Sequence, residues 1–341
     1  MRLLRPDIAP APIPLVRGAD VAHASREIER GTLVRVRPGV FADASEWSAL
    51  APWNRYLARV HAVALTRPDT VFAFESAAAL LGLPIFNDPG TVHELALAGG
   101  TARMSAGIRI HTGRNDRSVI IRHGLLLTDV ADTCVDLARH RHPAIGLATA
   151  DAALRLAPSL SRDVLRAINE QRASSRGRAR ARWALERASA VTESVLESVS
   201  VAVFEWLGMP EPDLQVSFRS EDGSTDRPDF TWRLPGGRRV GADADGDLKY
   251  DGRYGTARDV MHRQTQRDAR LRRHLDAIGH FGWNDVLAVD PLRGILREIG
   301  LRPAAPEHAA PLLTLRRALS PSTRSTGSPR ETASVGRDIG L

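Results

Sequence analysis

Residues 229–245 read DFTWRLPGGRRVGADAD and decide the fold of the second half of the chain. The segment DFTWRL predicts a strand, PGG predicts a tight turn and RRVGADAD predicts a second strand, so the stretch is expected to fold into a β-hairpin. Pairing within that hairpin brings Asp229 beside Asp243, and Asp245 lies two residues further along the same face. We therefore expect a group of carboxylates at one edge of a sheet.

The segments around this hairpin complete an α/β order. An amphipathic helix begins within TESVLESVS and carries Glu197, and the strand LQVSFR follows it. After the hairpin we expect a basic helix, TARDVMHRQTQRDARLRRHLDAIG, and a final strand, NDVLAVD. We assign residues 189–301 to this domain. Residues 302–341 lack periodic apolar side chains and are expected to form a disordered tail.

Carboxylates that converge in this way repel one another unless a cation is bound between them. Oxygen ligands of this kind suit Mg²⁺ or Mn²⁺. An ion held there would polarise a scissile phosphate and generate hydroxide from bound water. A calcium loop is the weaker interpretation, because the acidic run lacks a glutamate at the required terminal position. The predicted ligands are Glu197, Asp229, Asp243 and Asp245.

Lys249 stands next to these acids, in the stretch GADADGDLKYDG at residues 241–252. It is the single lysine of the chain, so the 47 basic residues are 46 arginines and this one lysine. An ammonium group can shift its pKa and give up a proton, whereas a guanidinium group cannot do so at working pH. We interpret Lys249 as a catalytic group that orients the attacking water. The alternative is a chance lysine on a solvated turn.

The positive charge of the chain is concentrated in two stretches. The formal net charge is +7, and residues 172–187 contain six arginines while residues 253–273 contain seven. Guanidinium groups pair bidentately with phosphate, which favours nucleic acid as a partner, although an arginine-rich composition alone also makes a protein basic. On the second stretch, the side chains predicted to follow the phosphate backbone are Arg267, Arg270, Arg272 and Arg273.

The first half of the chain opens with a proline-rich stretch. A helix that ends at Gly31, the strand TLVRVR, a PG turn and the strand VFA then form the outline of the second half of a winged helix-turn-helix. Arg35 and Arg37 lie on this basic hairpin. Later segments alternate between amphipathic helices and short strands. The predicted divisions are a flexible leader (1–14), a partial winged helix with an α+β module (15–170) and a basic linker or helix (171–188).

Five motifs follow one another through this half: REIERGTLVRVRPGVF, ESAAALLGLP, GIRIHTG, LTDVADTCVDLAR and ATADAALR. In this order they resemble the abortive-infection type IV antitoxin family of bacteria. The resemblance implies a winged-helix module that binds DNA through the wing around Arg35 and Arg37. It also implies an effector-neutralising domain whose partner is a cognate toxin or defence protein. The alternative is a module that serves only in packing or protein interaction.

A second series of motifs covers roughly residues 190–295: SVLESVS, LQV, RPDF, GADADGDLKYDG, QRDARLRR and GWNDVLAV. The series resembles the very-short-patch-repair-like branch of the PD-(D/E)XK nuclease superfamily. That resemblance implies a restriction-endonuclease-like mixed sheet flanked by helices. Glu197 matches the acid of the first helix, Asp229 the strand acid after proline, and Asp243 the acid of the (D/E)XK element. Arg267 and Arg270 fall on the helix that faces the phosphate backbone.

This sequence departs from the superfamily pattern at two of those positions. Asp243 stands where this branch usually has the longer glutamate, and Asp245 stands where the pattern has lysine. Lys249 would have to reach the site from the following turn. These departures are compatible with a domain that binds DNA without cutting it.

Several other classes of protein are disfavoured. No apolar run is long enough to cross a bilayer and no signal-peptide pattern is present, so the sequence predicts a cytoplasmic protein. The single Cys134 can form neither an internal disulfide nor a thiolate metal site, and its apolar helical neighbours predict a core position. The sequence contains no P-loop, which disfavours a nucleotide-binding protein, and no Gly-x-Ser-x-Gly motif, which disfavours a hydrolase with that nucleophile.

The sequence thus predicts a two-domain α/β protein whose leading function is that of a Mg²⁺- or Mn²⁺-dependent DNA endonuclease or nickase. Its biological setting would be phage defence or a toxin–antitoxin-like system. The alternative is a non-catalytic DNA-binding regulator or antitoxin with a degenerate nuclease domain. A third possibility, an antitoxin that acts only by binding protein, predicts no salt-dependent affinity for DNA.

Overall fold

The computed structural model describes residues 8–96, 99–113, 116–220, 223–246 and 257–320, with the backbone alone for 257–261. Within these ranges the chain is a mixed α/β protein with several sheets. None of the helices found there combines the length and apolar composition required to cross a membrane.

The chain begins with a small three-stranded antiparallel sheet in the order β1-β3-β2. Its elements are β1 (Val16–Arg17), α1 (Ala24–Glu29), β2 (Leu33–Arg37), β3 (Val40–Asp43) and α2 (Ala44–Ala49). The predicted helix, turn and basic hairpin are therefore confirmed. The Asp43 carboxylate begins α2 by accepting hydrogen bonds from the backbone amides of Ser45 and Glu46, at 2.8 and 3.0 Å.

A six-stranded mixed sheet follows, in the order β6-β7-β5-β4-β9-β8. Strand β5 runs parallel to β7 and β4 parallel to β9, while the other pairs are antiparallel. The elements are α3 (Pro52–Thr66), β4 (Val71–Phe72), α4 (Phe74–Leu81), β5 (Val92–Leu95), β6 (Arg103–Ser105), β7 (Ile108–His111), β8 (Val119–Arg122) and β9 (Leu125–Thr128).

The prediction of a flexible leader over residues 1–14 is wrong for residues 8–14. Ile8 and Ile13 are buried, and Ile8 packs in the core between α3, α4 and the sheet. The backbone amide of Ala9 donates to the carbonyl of Leu80 at 2.7 Å. The proline-rich composition predicts a mobile segment. The free energy gained by burying its two isoleucine side chains outweighs the conformational entropy that the segment loses when it becomes ordered.

Four helices complete the first half: α5 (Val130–His140), α6 (Pro143–Leu156), α7 (Arg162–Gln171) and α8 (Arg178–Arg187). Helix α8 lies in the stretch predicted as a basic linker or helix. Its Ala181, Ala184 and Leu185 are fully buried, while its arginines line the other faces. The stretch is therefore a packed helix whose small side chains let it approach α5 and α6 closely.

The second half contains a four-stranded sheet in the order β10-β13-β14-β15. Strands β14 and β15 are parallel and the other pairs antiparallel, and β11 and β12 form a separate hairpin. The elements are α9 (Val195–Trp206), β10 (Asp213–Leu214), β11 (Phe218–Arg219), β12 (Thr225–Asp226), β13 (Phe230–Arg233), β14 (Arg239–Ala244), α10 (Ala257–Leu271), β15 (Ala277–Phe281), α11 (Trp283–Ala288), α12 (Asp290–Glu298) and α13 (Ala309–Leu319).

The predicted hairpin is confirmed as β13 and β14, but the predicted strand NDVLAVD is wrong. These residues lie mainly in α11, and the final strand is β15, which precedes them. The Asp285 carboxylate accepts a hydrogen bond of 2.8 Å from the amide of Gly282 and so begins the helix. A short apolar run does not distinguish a strand from a buried helix.

The disordered tail predicted from residue 302 is also wrong for residues 302–320. Leu312, Leu315 and Leu319 of α13 are buried against the main core. The carbonyl of Gly208, at the end of α9, accepts from the amides of Ala304 and Ala305 at 2.7 and 3.1 Å. The leucines of α13 are spaced helically, and their burial outweighs the surrounding proline and alanine composition. Residues 321–341 lie outside the described part of the chain.

One hydrophobic core runs through both halves of the chain. It contains Val135 and Leu147 of α5 and α6 together with Leu196, Val203 and Trp206 of α9. The ring of Trp206 also stacks on Trp183 of α8, with ring centroids 5.1 Å apart. Helix α9 is thus packed on one side by the first half and on the other by the second sheet.

Candidate functional site

The β13–β14 hairpin places two aspartates next to each other. Phe230 pairs with Ala242 in the antiparallel ladder, so Asp229 and Asp243 are the next residues on the two strands. The amide of Asp229 donates to Oδ1 of Asp243 at 3.1 Å, and the amide of Ala244 donates to Oδ2 of Asp229 at 2.8 Å. Each carboxylate is therefore held by the backbone of the opposite strand.

Glu197 reaches the same place from the first turn of α9. The Ser194 hydroxyl accepts the amide of Glu197 at 3.1 Å and fixes the start of this helix. The Nε2 group of Gln215 donates to Oε2 of Glu197 at 2.9 Å and to Oδ1 of Asp229 at 3.1 Å. The structure therefore brings together Glu197, Asp229 and Asp243, which we call the carboxylate cluster, with Gln215 between two of them.

The carboxylate cluster carries more negative charge than the side chains around it neutralise. Burial and, after it, the charges of Glu197 and Asp243 together raise the pKa of Asp229 to about 6. Arg267 of α10 forms an ion pair with Asp243, with Nη2 donating to Oδ1 at 3.1 Å and Nη1 contacting Oδ2. Among the residues that the structure describes, one guanidinium therefore pairs with this group of three carboxylates.

Asp245 does not point into the carboxylate cluster. Its Oδ2 lies 2.9 Å from Nδ1 of His280 and accepts from Nε2 of Gln264 at 3.0 Å. The other ring nitrogen of His280, Nε2, lies 2.9 Å from Oδ2 of Asp268. The hydrogen bond to Asp245 raises the pKa of His280, as does the charge of Asp268, against the effect of burial. Asp245 thus belongs to a neighbouring group centred on His280.

The arginines predicted to contact phosphate have different surroundings. Besides Arg267, Arg270 is engaged with a carboxylate, since its Nε and Nη2 both lie 2.7 Å from oxygens of Asp226. Arg272 and Arg273, at the end of α10, are exposed. Phosphate contact by the first two would have to be shared with their carboxylate partners. Lys249 lies outside the described residues.

The two arginines of the first hairpin also differ. Arg35 is exposed, and its guanidinium carbon lies 6.0 Å from the ring centroid of Phe41. Arg37 is half-buried, and burial together with the charge of Arg67 lowers its pKa. Its Nε and Nη1 are buried with no hydrogen-bond partner among the residues that the structure describes. Of the two, Arg35 is the more exposed.

The donor set of the carboxylate cluster suits a hard divalent cation. Mg²⁺ prefers oxygen ligands and keeps several waters, and three carboxylates meet that preference. The pKa of Asp229 is raised by its burial and by the neighbouring carboxylates, and a bound cation would relieve the repulsion among them. Glu197, Asp229 and Asp243 would hold the ion, with Arg267 released from part of its contact with Asp243.

Sequence reasoning missed Gln215, Gln264, Asp268 and His280. Gln215 has a left-handed backbone conformation, with φ 55°, which directs the chain between β10 and β11. His280 is the register partner of Asp243 on the neighbouring parallel strand. The strand sequence AIGHF does not by itself indicate that His280 lies near the acids. That follows only once β14 and β15 are known to pair, and a helix separates these two strands in the sequence.

Comparison with known proteins gives two findings. Residues 70–187 match the family described as AbiEi antitoxin C-terminal domain, a region that runs from β4 through α8. The chain is also similar to two uncharacterized proteins of Mycobacterium tuberculosis, Rv2248 of strain H37Rv and MT2308 of strain CDC 1551. Each is 33% identical over 208 residues, which is 60% of this chain and 72% of the relative. No solved structure matches the chain.

Proposed function

We propose that this chain, which belongs to the same family as the two mycobacterial proteins, is a metal-dependent DNA endonuclease or nickase of an abortive-infection or toxin–antitoxin-like system. The observation that carries the proposal is the convergence of Glu197, Asp229 and Asp243 from a helix and two strands. Two of them share Gln215, at 2.9 and 3.1 Å, and the third accepts the amide of Asp229 at 3.1 Å. Three carboxylates brought this close repel one another, and a bound cation would relieve that repulsion.

Different residues of the chain would have different roles in phosphodiester hydrolysis. A Mg²⁺ or Mn²⁺ ion, when bound, supplies polarisation of the phosphate and a lowered pKa of water. Gln215 holds Glu197 and Asp229 in position through its hydrogen bonds of 2.9 and 3.1 Å. Arg267, which lies against Asp243, is placed to neutralise charge that develops on the phosphate. Lys249 remains the proposed group for orienting the attacking water.

Exposed positive side chains of both halves would hold the DNA. Arg272 and Arg273 are exposed at the end of α10, and Arg35 is exposed on the first hairpin. Arginine contacts to phosphate position a duplex without reading its sequence. Their number predicts affinity that falls steeply with salt, because each phosphate contact releases counterions.

The decisive experiment incubates the full chain with supercoiled plasmid in Mg²⁺, in Mn²⁺ and in EDTA. Nicked or linear plasmid should form with the metal ions alone. Asp229→Ala and Glu197→Gln should abolish the products. Asp213→Asn is the matched control, because Asp213 is an exposed acid on the edge strand of the same sheet and should leave cleavage unchanged. Cleavage that persists in Asp229→Ala would refute the catalytic role.

A second candidate function is a DNA-binding regulator or antitoxin without nuclease activity. It is favoured by the ion pair between Arg267 and Asp243, and by the engagement of Asp245 with His280 at the position where the nuclease pattern has lysine. For this function, DNA affinity persists in EDTA, falls steeply with salt and is accompanied by no cleavage in any metal ion. Absence of salt-dependent DNA binding would leave a protein-binding antitoxin.

We further propose that the region matched to the antitoxin family, residues 70–187, binds a cognate toxin or defence protein. The test is co-expression of the full chain with a toxin candidate, with growth of the host as the readout. Rescue of growth that survives Asp229→Ala would assign neutralisation to the first half and separate it from nuclease chemistry. Loss of rescue in that variant would place both activities at the carboxylate cluster.

A further inference from the structure

A second group of metal-ligating side chains lies beside the carboxylate cluster. Asp243, Asp268 and His280 each offer a ligand atom, and these atoms all lie within 4.8 Å of one another. The group is assembled by the parallel pairing of β14 with β15, which sets Asp243 opposite His280, and by α10, which carries Asp268 over the sheet. It includes an imidazole nitrogen, which the carboxylate cluster lacks.

Asp268 has an unused ligand atom at this place. The residue is 8% exposed, and its Oδ2 lies 2.9 Å from Nε2 of His280. Its Oδ1 is buried and has no hydrogen-bond partner in the described part of the chain. Buried carboxylate oxygens in folded proteins are almost always paired with a donor or an ion. The Oδ1 of Asp268 is therefore open to a bound water or a cation.

His280 is oriented as metal-binding histidines are. Its Nδ1 lies 2.9 Å from Oδ2 of Asp245, and Gln264 donates to the same oxygen at 3.0 Å. A histidine that binds a metal through one nitrogen usually donates the N–H of the other to a carboxylate, which fixes its tautomer and ring position. Nε2 of Gln264 also lies 2.9 Å from Nδ1 of His280. In the tautomer whose Nδ1–H donates to Asp245, Nε2 is left to bind an ion beside Asp268.

We propose that Asp243, Asp268 and His280 form a binding site for a divalent transition-metal ion of the Mn²⁺ or Zn²⁺ type, with Asp245 as the positioning residue for His280. The mixed nitrogen and oxygen donors favour these ions over Mg²⁺, which prefers oxygen alone. Asp243 is shared with the carboxylate cluster, while Glu197 and Asp229 take no part. The site does not rest on the proposed nuclease activity, because an ion can be held there whether or not DNA is cut.

The test is calorimetric titration of the EDTA-treated, dialysed full chain with MnCl₂ and, separately, ZnCl₂. His280→Ala and Asp268→Asn should each lower the affinity of one bound equivalent by more than about 100-fold. Asp245→Asn should lower it by about 10- to 100-fold, the range for a lost carboxylate partner of a ligating histidine. Asp229→Asn should retain that equivalent. His262→Ala is the matched control, since His262 is exposed on the same helix.

A spectroscopic readout keeps the test independent of folding defects in the variants. Co²⁺ added to the wild-type chain should give a d–d absorption band that is lost on adding Zn²⁺, and Asp229→Asn should keep the band. Thermal melting of the wild type should shift upward with Zn²⁺ more than with Mg²⁺. Equal Zn²⁺ affinity in wild type and in a folded His280→Ala variant would overturn the proposal. Plasmid cleavage that fails while the Co²⁺ band persists refutes the nuclease and retains the site.

Discussion

Asp229 and Asp243 are locked beside each other by the hairpin that carries them. The amide of Asp229 donates to the carboxylate of Asp243 at 3.1 Å. The amide of Ala244, on the strand of Asp243, donates to the carboxylate of Asp229 at 2.8 Å. Neither side chain can turn away without losing a hydrogen bond to the backbone. The repulsion between them is therefore part of the fold, and Arg267 and Gln215 offset it only in part.

We expect Asp229→Asn to stabilise the metal-free chain above pH 6. The pKa of Asp229 is about 6 in the folded chain and about 3.9 in an unfolded one. Because the folded state binds more protons in that interval, stability falls as the pH rises through it. The ionised form costs about 3 kcal/mol, and a lost hydrogen bond removes about 1 kcal/mol of the gain. Urea unfolding in EDTA at pH 7.5 should show a net gain of about 1–2 kcal/mol.

The same substitution should give no gain at pH 4, where Asp229 is protonated in the folded wild type. Asp213→Asn, on an exposed acid, should change stability little at either pH. A gain of the same size for Asp229→Asn at pH 4 and pH 7.5 would show that its charge is not the cause.

Gln215→Glu should destabilise the metal-free chain at neutral pH. Gln215 donates to Glu197 and Asp229. The substitution replaces this donor by a side chain of similar shape that adds a fourth carboxylate to the cluster. We expect the free energy of unfolding to fall by about 2–3 kcal/mol at pH 7.5, and saturating Mg²⁺ to restore most of it. The exposed Gln266→Glu on α10 should change it by less than about 0.5 kcal/mol. No response of Gln215→Glu to Mg²⁺ would argue against a cation at the carboxylate cluster.

Arg267→Gln should raise the affinity of the chain for divalent cations. Arg267 forms an ion pair with Asp243, so an incoming cation competes with it. Removal of that competitor is expected to tighten Mg²⁺ binding about fivefold, the equivalent of about 1 kcal/mol. Arg270→Gln is the matched control, because Arg270 on the same helix pairs with Asp226 instead. Calorimetric titration measures both, and equal affinities in the two variants would contradict the prediction.

Gly208→Ala should destabilise the chain more than Gly236→Ala. Both glycines have left-handed backbones, with φ 70° and 82°. A Cβ at Gly208 would lie 2.0 Å from the carbonyl oxygen of Ala305, whereas a Cβ at Gly236 meets nothing within 4 Å. Gly236→Ala should lower the free energy of unfolding by about 1–2 kcal/mol, the cost of the left-handed conformation. Gly208→Ala should lower it by at least about 2 kcal/mol more, which thermal melting would detect; equal losses would refute the close approach.

The hairpin was predictable because its information is local. Alternation in DFTWRL and RRVGADAD, with PGG between them, predicts both strands and their register, and register alone places Asp229 beside Asp243. The approach of Glu197 was expected from the nuclease resemblance, and the structure brings that residue to the same place through Gln215.

The surroundings of His280 were not predictable in the same way. Its neighbours Asp245, Gln264 and Asp268 lie on three different elements, and no spacing along the chain relates them. The pairing of β14 with β15 must be known first. The sequence also places the final strand a few residues too late. Its apolar run NDVLAVD predicts a strand, whereas Asp285 begins a helix there and the strand is β15.

Residues 302–320 contact both halves of the chain, which limits the truncations and exchanges that the protein can tolerate. This segment holds the first half through Asn87, which donates to Leu319 at 2.6 Å, and the second through Trp206, whose carbonyl accepts from His308 at 2.7 Å. Truncation of the chain ahead of this segment would expose the apolar core residues that α13 covers. Exchange of either half for that of another protein would disturb the same contacts. We therefore expect the two halves to fold as one unit, so that a substitution in one half must be compatible with the packing of the other.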